Sequence, residues 1–370
     1  MPDTTVWRLE PHTAAKHSIL RRYLQAYYPK LASTRGRIDF IDGFAGPGIY
    51  VGGEPGSPLI ALNALAEHRH LPSMGHCDFV FLFIEEDRAR FEMLKDTVES
   101  QQLPPNAEVR VRRGTFEEHI GEAFDGLELL RDRGMVPGRP SFVMVDPFGV
   151  KGLPLSLLGR LARFRRTELL VSLVYEPIIR FLDHPEFESH LDELFGTREW
   201  RGARGRSADE KKAFLSSLYV RQLQSIGMKY VRLFEMRDAG NRTEYFLAFA
   251  THSKEGLRAM KEAMWKVDEA GGLVFSDFTA PSRDQGTLFA AEPDYAQLRR
   301  LVMARFTGQR AVPVGEIDDF VLIETAFRET HGKTVLREAE KDVAIDVKRP
   351  PGKTRAYWNV GTTVTFLPPE

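Results

Sequence analysis

Three short segments of the chain end an apolar run on a carboxylate, two of them directly before glycine or proline, the pattern of backbone loops that hold polar ligands. The most informative is Asp42-Gly43-Phe44-Ala45-Gly46-Pro47-Gly48, which follows the short strand-like run Arg37-Ile38-Asp39-Phe40-Ile41-Asp42 and precedes a helical segment, Pro58 to His68. Glycines there let the backbone pass close to a bound molecule, and the start of the next helix favours polar or anionic groups. The spacing Asp-x-x-x-Gly-x-Gly differs from the dinucleotide pattern G-x-G-x-x-G, so a nucleoside cofactor without a pyrophosphate is the natural occupant. Glu85 ends a second apolar run, Phe81-Leu82-Phe83-Ile84, where two accepting oxygens would grip a ribose diol; Glu86 and Asp87 behind it read as helix caps. Asp146-Pro147-Phe148-Gly149 ends another run. Asp146 there would accept hydrogen bonds from an amino group, Pro147 would stiffen the loop and present its carbonyl, and Phe148 would stack on a planar base. A plain strand-to-helix turn capped by Asp146 is the structural alternative.

These loops need elements to hold them. Ile19, Leu20, Tyr23, Leu24 and Tyr27 recur at helical spacing within Thr13 to Leu31, which puts Lys16 and His17 near the start of a helix and, on residue type alone, on its solvated face. Apolar runs at 37–42, 78–85, 108–112, 141–146 and 168–174 alternate with amphipathic helices, among them Phe116 to Asp132. That alternation implies βαβ units, a mostly parallel sheet, and all the loops above at one carboxyl edge. Pro177 to Ile226 reads as helical, with Arg198 to Lys212, a charged stretch holding Gly202 and Gly205, as a surface loop within it, and Tyr230–Arg237 and Thr243–Thr251 alternate as a hairpin around Asp238-Ala239-Gly240-Asn241. The expected class is α/β, the Rossmann-like doubly wound sheet of class I S-adenosylmethionine-dependent methyltransferases. In that fold the glycine loop, here Gly43, Phe44, Ala45, Gly46 and Gly48, cradles the methionine part of the cofactor, and Asp42 fills the acidic role at the strand end. Thr115 and Phe116 occupy the place of the adenine contact. Gly56-Ser57-Pro58 reads as a helix start, with Ser57 as cap beside the glycine loop. Tyr175 follows the fifth strand and is a candidate substrate contact.

The domain boundaries read as 1–280 for the cofactor domain with its N-terminal helix and a helical insert at 177–227, 281–294 for a linker rich in Ser, Pro, Gly and Asp, and 295–370 for a winged-helix-like module. The module is expected to hold helices Tyr295–Phe306, Val314–Phe327 and Gly332–Asp342 and strands Val343–Lys348 and Ala356–Phe366. Lys348, Arg349, Lys353 and Arg355 gather on its wing, and His331, Lys333, Arg337 and Lys341 lie in or beside its third helix, where they would meet phosphates. Glu338, Glu340 and Asp342 share that helix, which leaves a protein-binding or purely structural module equally open.

Several of these pieces, in this order, resemble the three-Cys-motif partner proteins, the TcmP family: Lys16-His17-Ser18-Ile19-Leu20-Arg21-Arg22-Tyr23-Leu24, Ile41 to Gly48, Gly56-Ser57-Pro58, Phe83-Ile84-Glu85, Val145 to Gly149, and Met260-Lys261-Glu262-Ala263-Met264-Trp265. The resemblance implies a methyltransferase-like protein that works with a radical-S-adenosylmethionine-type partner carrying the three cysteines; this chain lacks that motif. A fainter similarity runs to the bacterial large-subunit ribosomal RNA adenine-N6 methyltransferases, which pair an N-terminal Lys-His with a D-x-x-x-G-x-G loop and a Gly-Ser-Pro-Leu segment, and it suggests adenine in RNA or DNA as the target. Asp146-Pro147-Phe148-Gly149 is close to the D-P-P-Y signature of exocyclic-amine methylation but has Phe for the second Pro and Gly for the aromatic residue. By resemblance, Lys16 and His17 reach the cofactor or the target.

Composition bounds the rest. Lys plus Arg number 51 and Asp plus Glu 52, a net charge of -1, so there is no whole-protein field to draw the chain onto nucleic acid or membrane, and any nucleic-acid surface must be local. One cysteine, Cys77, excludes an internal disulfide and a thiolate metal cluster, and fits a reducing compartment. The polar N-terminus has no secretory signal pattern, and the longest apolar runs are far too short to span a bilayer, so a cytoplasmic protein is expected. The ten histidines form no ligand-spaced pair, and no metal is expected. The function expected is methyl transfer from S-adenosylmethionine to a base amino group in nucleic acid, alongside the three-Cys partner. The alternative is a non-catalytic protein of the same fold that recognises substrate for that partner.

Overall fold

A computed structural model describes residues 5–33, 36–121, 138–269, 272, 274–276 and 292–368. Helix α1 (Pro11–Leu31) begins on proline, whose missing N–H is unneeded in a first turn, and buries Ile19, Leu20, Tyr23, Leu24 and Tyr27. Lys16 and His17 are buried with them, which overturns the solvated-face reading: the helix packs along the sheet so closely that its first turns have no wet side at these positions.

The apolar runs form strands β1 (Gly36–Asp42), β2 (Cys77–Glu85), β3 (Ala107–Arg113), β4 (Ser141–Val145) and β5 (Thr167–Val174). They are joined by helices α2 (Ser57–Ala66), α3 (Arg88–Glu99) and α4 (Leu155–Ala162). The chain is helical from Phe116 to 121, and the rest of the helix expected to Asp132 lies outside the described residues. After β5 come α5 (Tyr175–Phe181), α6 (Glu188–Phe195) and α7 (Ala208–Ser225), then the hairpin β6 (Tyr230–Arg237) and β7 (Thr243–Thr251), helix α8 (Lys254–Trp265) and the short β8 (Val274–Ser276). The charged stretch at 198–212 is less of a loop than its composition suggests: Trp200 is buried, and Arg201 and Arg204 pair with Glu188.

The sheet order is β3-β2-β1-β4-β5-β7-β6-β8. Only β7 among these strands runs against the others. The reversal after β1 and the inserted antiparallel β7 are the strand order of the class I methyltransferase fold. Strand β4 is buried along its whole length, as expected of a parallel strand covered on both faces. Asp42 is in register with Phe83 on one side and Met144 on the other, so Asp42, Glu85 and Asp146 end their strands along one edge.

The chain divides into two compact units. The first runs to Ala263 and takes in β8, while the second takes in Trp265 and the chain from Glu292. The boundary therefore falls inside α8, before the expected linker, most of which lies outside the described residues. The second unit comprises helices α9 (Tyr295–Phe306), α10 (Val314–Glu324) and α11 (Glu329–Lys341) with strands β9 (Val312–Pro313), β10 (Ile345–Lys348) and β11 (Thr363–Phe366), sheet order β10-β11-β9. Its core joins Trp265, Leu298, Val302, Phe306, Leu336 and Trp358. The strand expected over Ala356–Phe366 shortens to Thr363–Phe366, because the preceding loop turns inward to bury Trp358. Among the described residues no helix is long and apolar enough to cross a membrane.

Candidate active site

The loop after β1 is fixed before any ligand arrives. The Gly43 N–H donates to the Met144 carbonyl, and the Ala45 N–H donates to the Ile84 carbonyl, so the loop is tied to both neighbouring strands. Gly43 lies under the Phe116 ring: a Cβ there would stand 2.4 Å from it. Gly46 and Gly48 have φ of +63° and +82°, conformations that side chains resist. Gly56 crosses Gly48 so closely that its Cβ would meet the Gly48 carbonyl oxygen at 2.9 Å. The capping residue of α2 is Gly56, one residue earlier than expected, and Ser57 instead turns its hydroxyl towards Asp42.

Asp42 is fully buried. Its Oδ1 accepts from the Phe44 N–H at 3.2 Å, while Oδ2 has no hydrogen-bond partner. Burial pushes its pKa up to about 6, against the opposing pull of the Ser57 hydroxyl and the Phe44 N–H. Glu85 is also buried, and its two oxygens are held by backbone: Oε2 accepts from Gly46 N–H and Oε1 from Asp87 N–H, both at 2.9 Å. Burial raises its pKa more than those donors and Arg90 lower it. Each oxygen keeps a further lone pair. Asp87 caps α3 through Arg90 N–H, as its sequence position indicated.

Two clefts open on this edge and share Phe44 and Phe148 as a partition. One, of ≈ 690 Å³, is lined by Glu85, Arg90, Thr115, Lys151 and Phe187. The other, of ≈ 660 Å³, is lined by Lys16, His17, Tyr50, Ser57, Asp146 and Tyr245. In the second cleft the Lys16 ammonium donates to Asp146 Oδ2 and stands 5.3 Å from the centre of the Tyr245 ring. Burial tends to raise the Asp146 pKa, but the Lys16 charge and hydrogen bond outweigh it and hold the carboxyl below its usual range. Burial, helped by the Lys16 charge, pushes His17 down to about 3, so its imidazole is neutral at ordinary pH. Pro147 is buried in the strand-to-helix turn, and Phe148 is 53% exposed, with Trp7 at 5.2 Å between ring centres. The Arg90 guanidinium lies over both of those rings.

The structure thus gathers Lys16, His17, the glycine loop, Ser57, Glu85, Thr115, Asp146, Pro147 and Phe148 around the two clefts, with Asp42 at the same edge but fully buried and lining neither. Phe116 borders the first cleft but is a core side chain packed on Gly43 and Phe44, not an exposed adenine contact. Tyr175 lines neither cleft. It turns into the sheet, edge-on to Phe246 at 5.8 Å, because α5 starts directly at the end of β5 and points this side chain inward. Among the four wing residues, Lys348, Lys353 and Arg355 are exposed, but Arg349 is not available to a ligand: it is bidentate to Glu340 and stacks on Trp358. Beside the third helix, His331 is buried against Trp265 and bonded to Arg328, so it too is structural.

Sequence reasoning missed Trp7, Tyr50, Arg90 and Tyr245. Trp7 and Tyr50 stand outside any periodic run, and Arg90 reads as an ordinary helix residue. Tyr245 alternates correctly along β7, but alternation does not tell which end of an antiparallel strand reaches the site. Among the described residues no three His, Cys, Asp or Glu side chains converge as metal ligands.

No family model matches the chain, and no curated protein matches it. Solved structures similar to it include human methyltransferase-like protein 13 in complex with SAH, at 14% identity over 68% of this chain and 91% of that one, with a TM-score of 0.34. The cyclopropane synthase MmaA2 from Mycobacterium tuberculosis is 11% identical over 70% of each chain, with a TM-score of 0.30. A Porphyromonas gingivalis protein assigned as a methyltransferase is 12% identical over 62% of this chain and 40% of its own length, with a TM-score of 0.28. The fold rests on the strand order, and the site on its side chains.

Proposed function

We propose that the chain is an S-adenosylmethionine-dependent methyltransferase that acts on an amino group of a nucleobase. The observation that carries this reading is the convergence of three strand-end carboxylates, Asp42, Glu85 and Asp146, around a glycine loop at the carboxyl edge of this strand order. The residues fit the cofactor. Asp42 Oδ2 is buried and lacks a donor, Glu85 has acceptor capacity left on both oxygens, and the loop at Gly46 and Gly48 keeps backbone close and side chains away.

When bound, S-adenosylmethionine supplies an electrophilic methyl group on a sulfonium sulfur. Glu85 accepts the ribose hydroxyls, Asp42 offers its unpaired oxygen to cationic or N–H groups, and Thr115 flanks the base. Asp146, with 28% of its side chain exposed, accepts N–H bonds from the target amine and aims its lone pair. Held ionised by Lys16, Asp146 serves as an acceptor and not as a strong base, so orientation supplies the main acceleration. Pro147 offers a second acceptor, and Phe148 a stacking face. Neutral His17 leaves no second positive charge beside the target amine.

The second unit, read as a winged helix from its order helix, strand, two helices and two strands, would hold nucleic acid through the exposed Lys348, Lys353 and Arg355. The partner implied by the resemblance of the segments around Lys16, the glycine loop and Asp146 to the three-Cys-motif partner proteins is a radical-S-adenosylmethionine-type protein that carries the three cysteines. One observation favours the second reading, a non-catalytic substrate-recognition protein: Lys16 already engages the carboxylate that a target amine needs. Incubation with methyl-labelled cofactor and RNA or DNA, with and without the partner, separates the two. Label in nucleic acid that falls about 10²–10³-fold in Asp146→Asn supports methyl transfer. A folded, cofactor-binding chain that labels neither polymer overturns it in favour of the recognition role.

A further inference from the structure

The edge of the sheet opposite the glycine loop carries chemistry that the methyl-transfer reading does not use. There, where β4 and β5 begin and β7 ends, a cleft of ≈ 370 Å³ opens between α1 and α8. Its floor is apolar and largely aromatic, built from Tyr23, Tyr27, Leu31 and Ala259. Its rim carries Lys30, Arg165 and Arg166, all exposed. None of the three is in an ion pair among the described residues, and only one carboxylate at the rim, Glu255, opposes them.

At the deep end, Glu168 lies beneath the first turn of α8. A Cβ on Gly256 would meet Glu168 Oε1 at 2.2 Å, so glycine lets the helix cross directly over the carboxyl. Both Glu168 oxygens are occupied: the Tyr23 hydroxyl donates to one and the Thr251 hydroxyl to the other, the latter at 2.7 Å. Tyr27 is different. It is 6% exposed and lines the same cleft, yet its hydroxyl has no hydrogen-bond partner. A buried polar group left unpaired costs about 1–3 kcal/mol, so this position lacks a partner that the chain itself does not provide.

We infer that this cleft is a second binding site, for a small aromatic carboxylate. The ring lies on the tyrosine floor, the carboxylate meets Lys30, Arg165 and Arg166, and a polar ring substituent pairs with the Tyr27 hydroxyl. The aromatic floor argues for a ring rather than a bare anion, and the cluster of unpaired cations argues for a negative charge on it. The volume is at the small end for ligand pockets and suits a compact molecule. The site is independent of the methyl-transfer reading, since none of its lining residues belongs to the clefts at the other edge.

The test is calorimetric titration of the full chain with 4-hydroxybenzoate. The expected result is saturable binding with a Kd of about 1 mM or tighter. Affinity should fall about tenfold in the Lys30→Ala/Arg165→Ala double variant and for the neutral 4-hydroxybenzamide, the loss of one charge-assisted contact. Both substituted residues are exposed and outside the core, so an unchanged melting temperature verifies the fold of the variant. Tyr27→Phe should weaken 4-hydroxybenzoate more than benzoate. The inference is overturned by no saturable binding up to about 10 mM, by equal affinity for acid and amide, by affinity unchanged in the double variant, or by inorganic phosphate binding more tightly than the aromatic acid.

Discussion

Lys16 in the first unit and Arg349 in the second, with 6% and 9% of their side chains exposed, each pair with a carboxylate, and the two pairs are built differently. In the second unit, Arg349 spends four of its five donors: two bonds to Glu340 at 2.8 and 2.7 Å, one to the Tyr357 carbonyl and one to the Arg355 carbonyl, with its face on Trp358. In the first unit, Lys16 engages a single oxygen of Asp146 in a cleft that also holds His17 and Ser57. An ammonium has three donors, and the carboxylate it touches keeps acceptor capacity. The nearly saturated pair is a clamp that fixes the loop around Trp358. The unsaturated pair leaves polar valence pointing at a cleft, which is what a site for a polar ligand requires.

This contrast can be broken by removing each cation. Arg349→Ala should cost the second unit about 3 kcal/mol, the lower end for breaking a buried pair because Glu340 keeps 17% of its side chain exposed. Denaturant unfolding measures that loss, and Arg349→Lys should recover only part of it, since a lysine cannot reproduce the bidentate fork. A next-largest effect is expected within the first unit at Gly43→Ala, where the added methyl must displace the Phe116 ring at about 2 kcal/mol. Its cofactor-loop consequence is a matching loss of S-adenosylhomocysteine affinity.

Lys16→Met should sharpen the comparison by a smaller effect on stability and a clear one on pH. Asp146 has a folded pKa below its unfolded value, so it contributes stability above the unfolded pKa that is lost as pH falls through the folded one. Without Lys16 that acid-side contribution should disappear from the pH dependence of melting. Asp42 has the opposite sign: its pKa rises from 3.8 to about 6 on folding, so the folded state binds the extra proton and stability declines as pH rises between those values. Asp42→Asn should flatten this decline. In wild type, S-adenosylhomocysteine affinity should fall as pH drops through about 6 and Asp42 protonates.

The sheet was legible because its strands are apolar runs ended by loop residues: Tyr230–Arg237 and Thr243–Thr251 were readable to the residue, and the ends at Asp42 and Glu85 are the ends the structure shows. Strands β8 and β9 were not, since three and two residues carry no period. The site was legible where backbone chemistry dictates residue type, as in the glycines at 43, 46 and 48. It was illegible where a long polar side chain chooses its partner across the fold. Lys16 and Arg349 look alike in sequence, one a basic residue on a helix and the other a basic residue on a wing. Only the carboxylate 130 positions from Lys16, and the Trp358 face under Arg349, assign one to a cleft and the other to a core.

The central claim is that the carboxylates at the ends of β1 and β2 hold the cofactor. Calorimetric titration of the folded chain with S-adenosylhomocysteine at neutral pH tests it most directly. The account expects saturable binding that weakens at least about tenfold in Asp42→Ala and again in Glu85→Ala, in variants whose melting shows them folded. Absence of binding by the folded wild type, or equal binding by both variants, would contradict it.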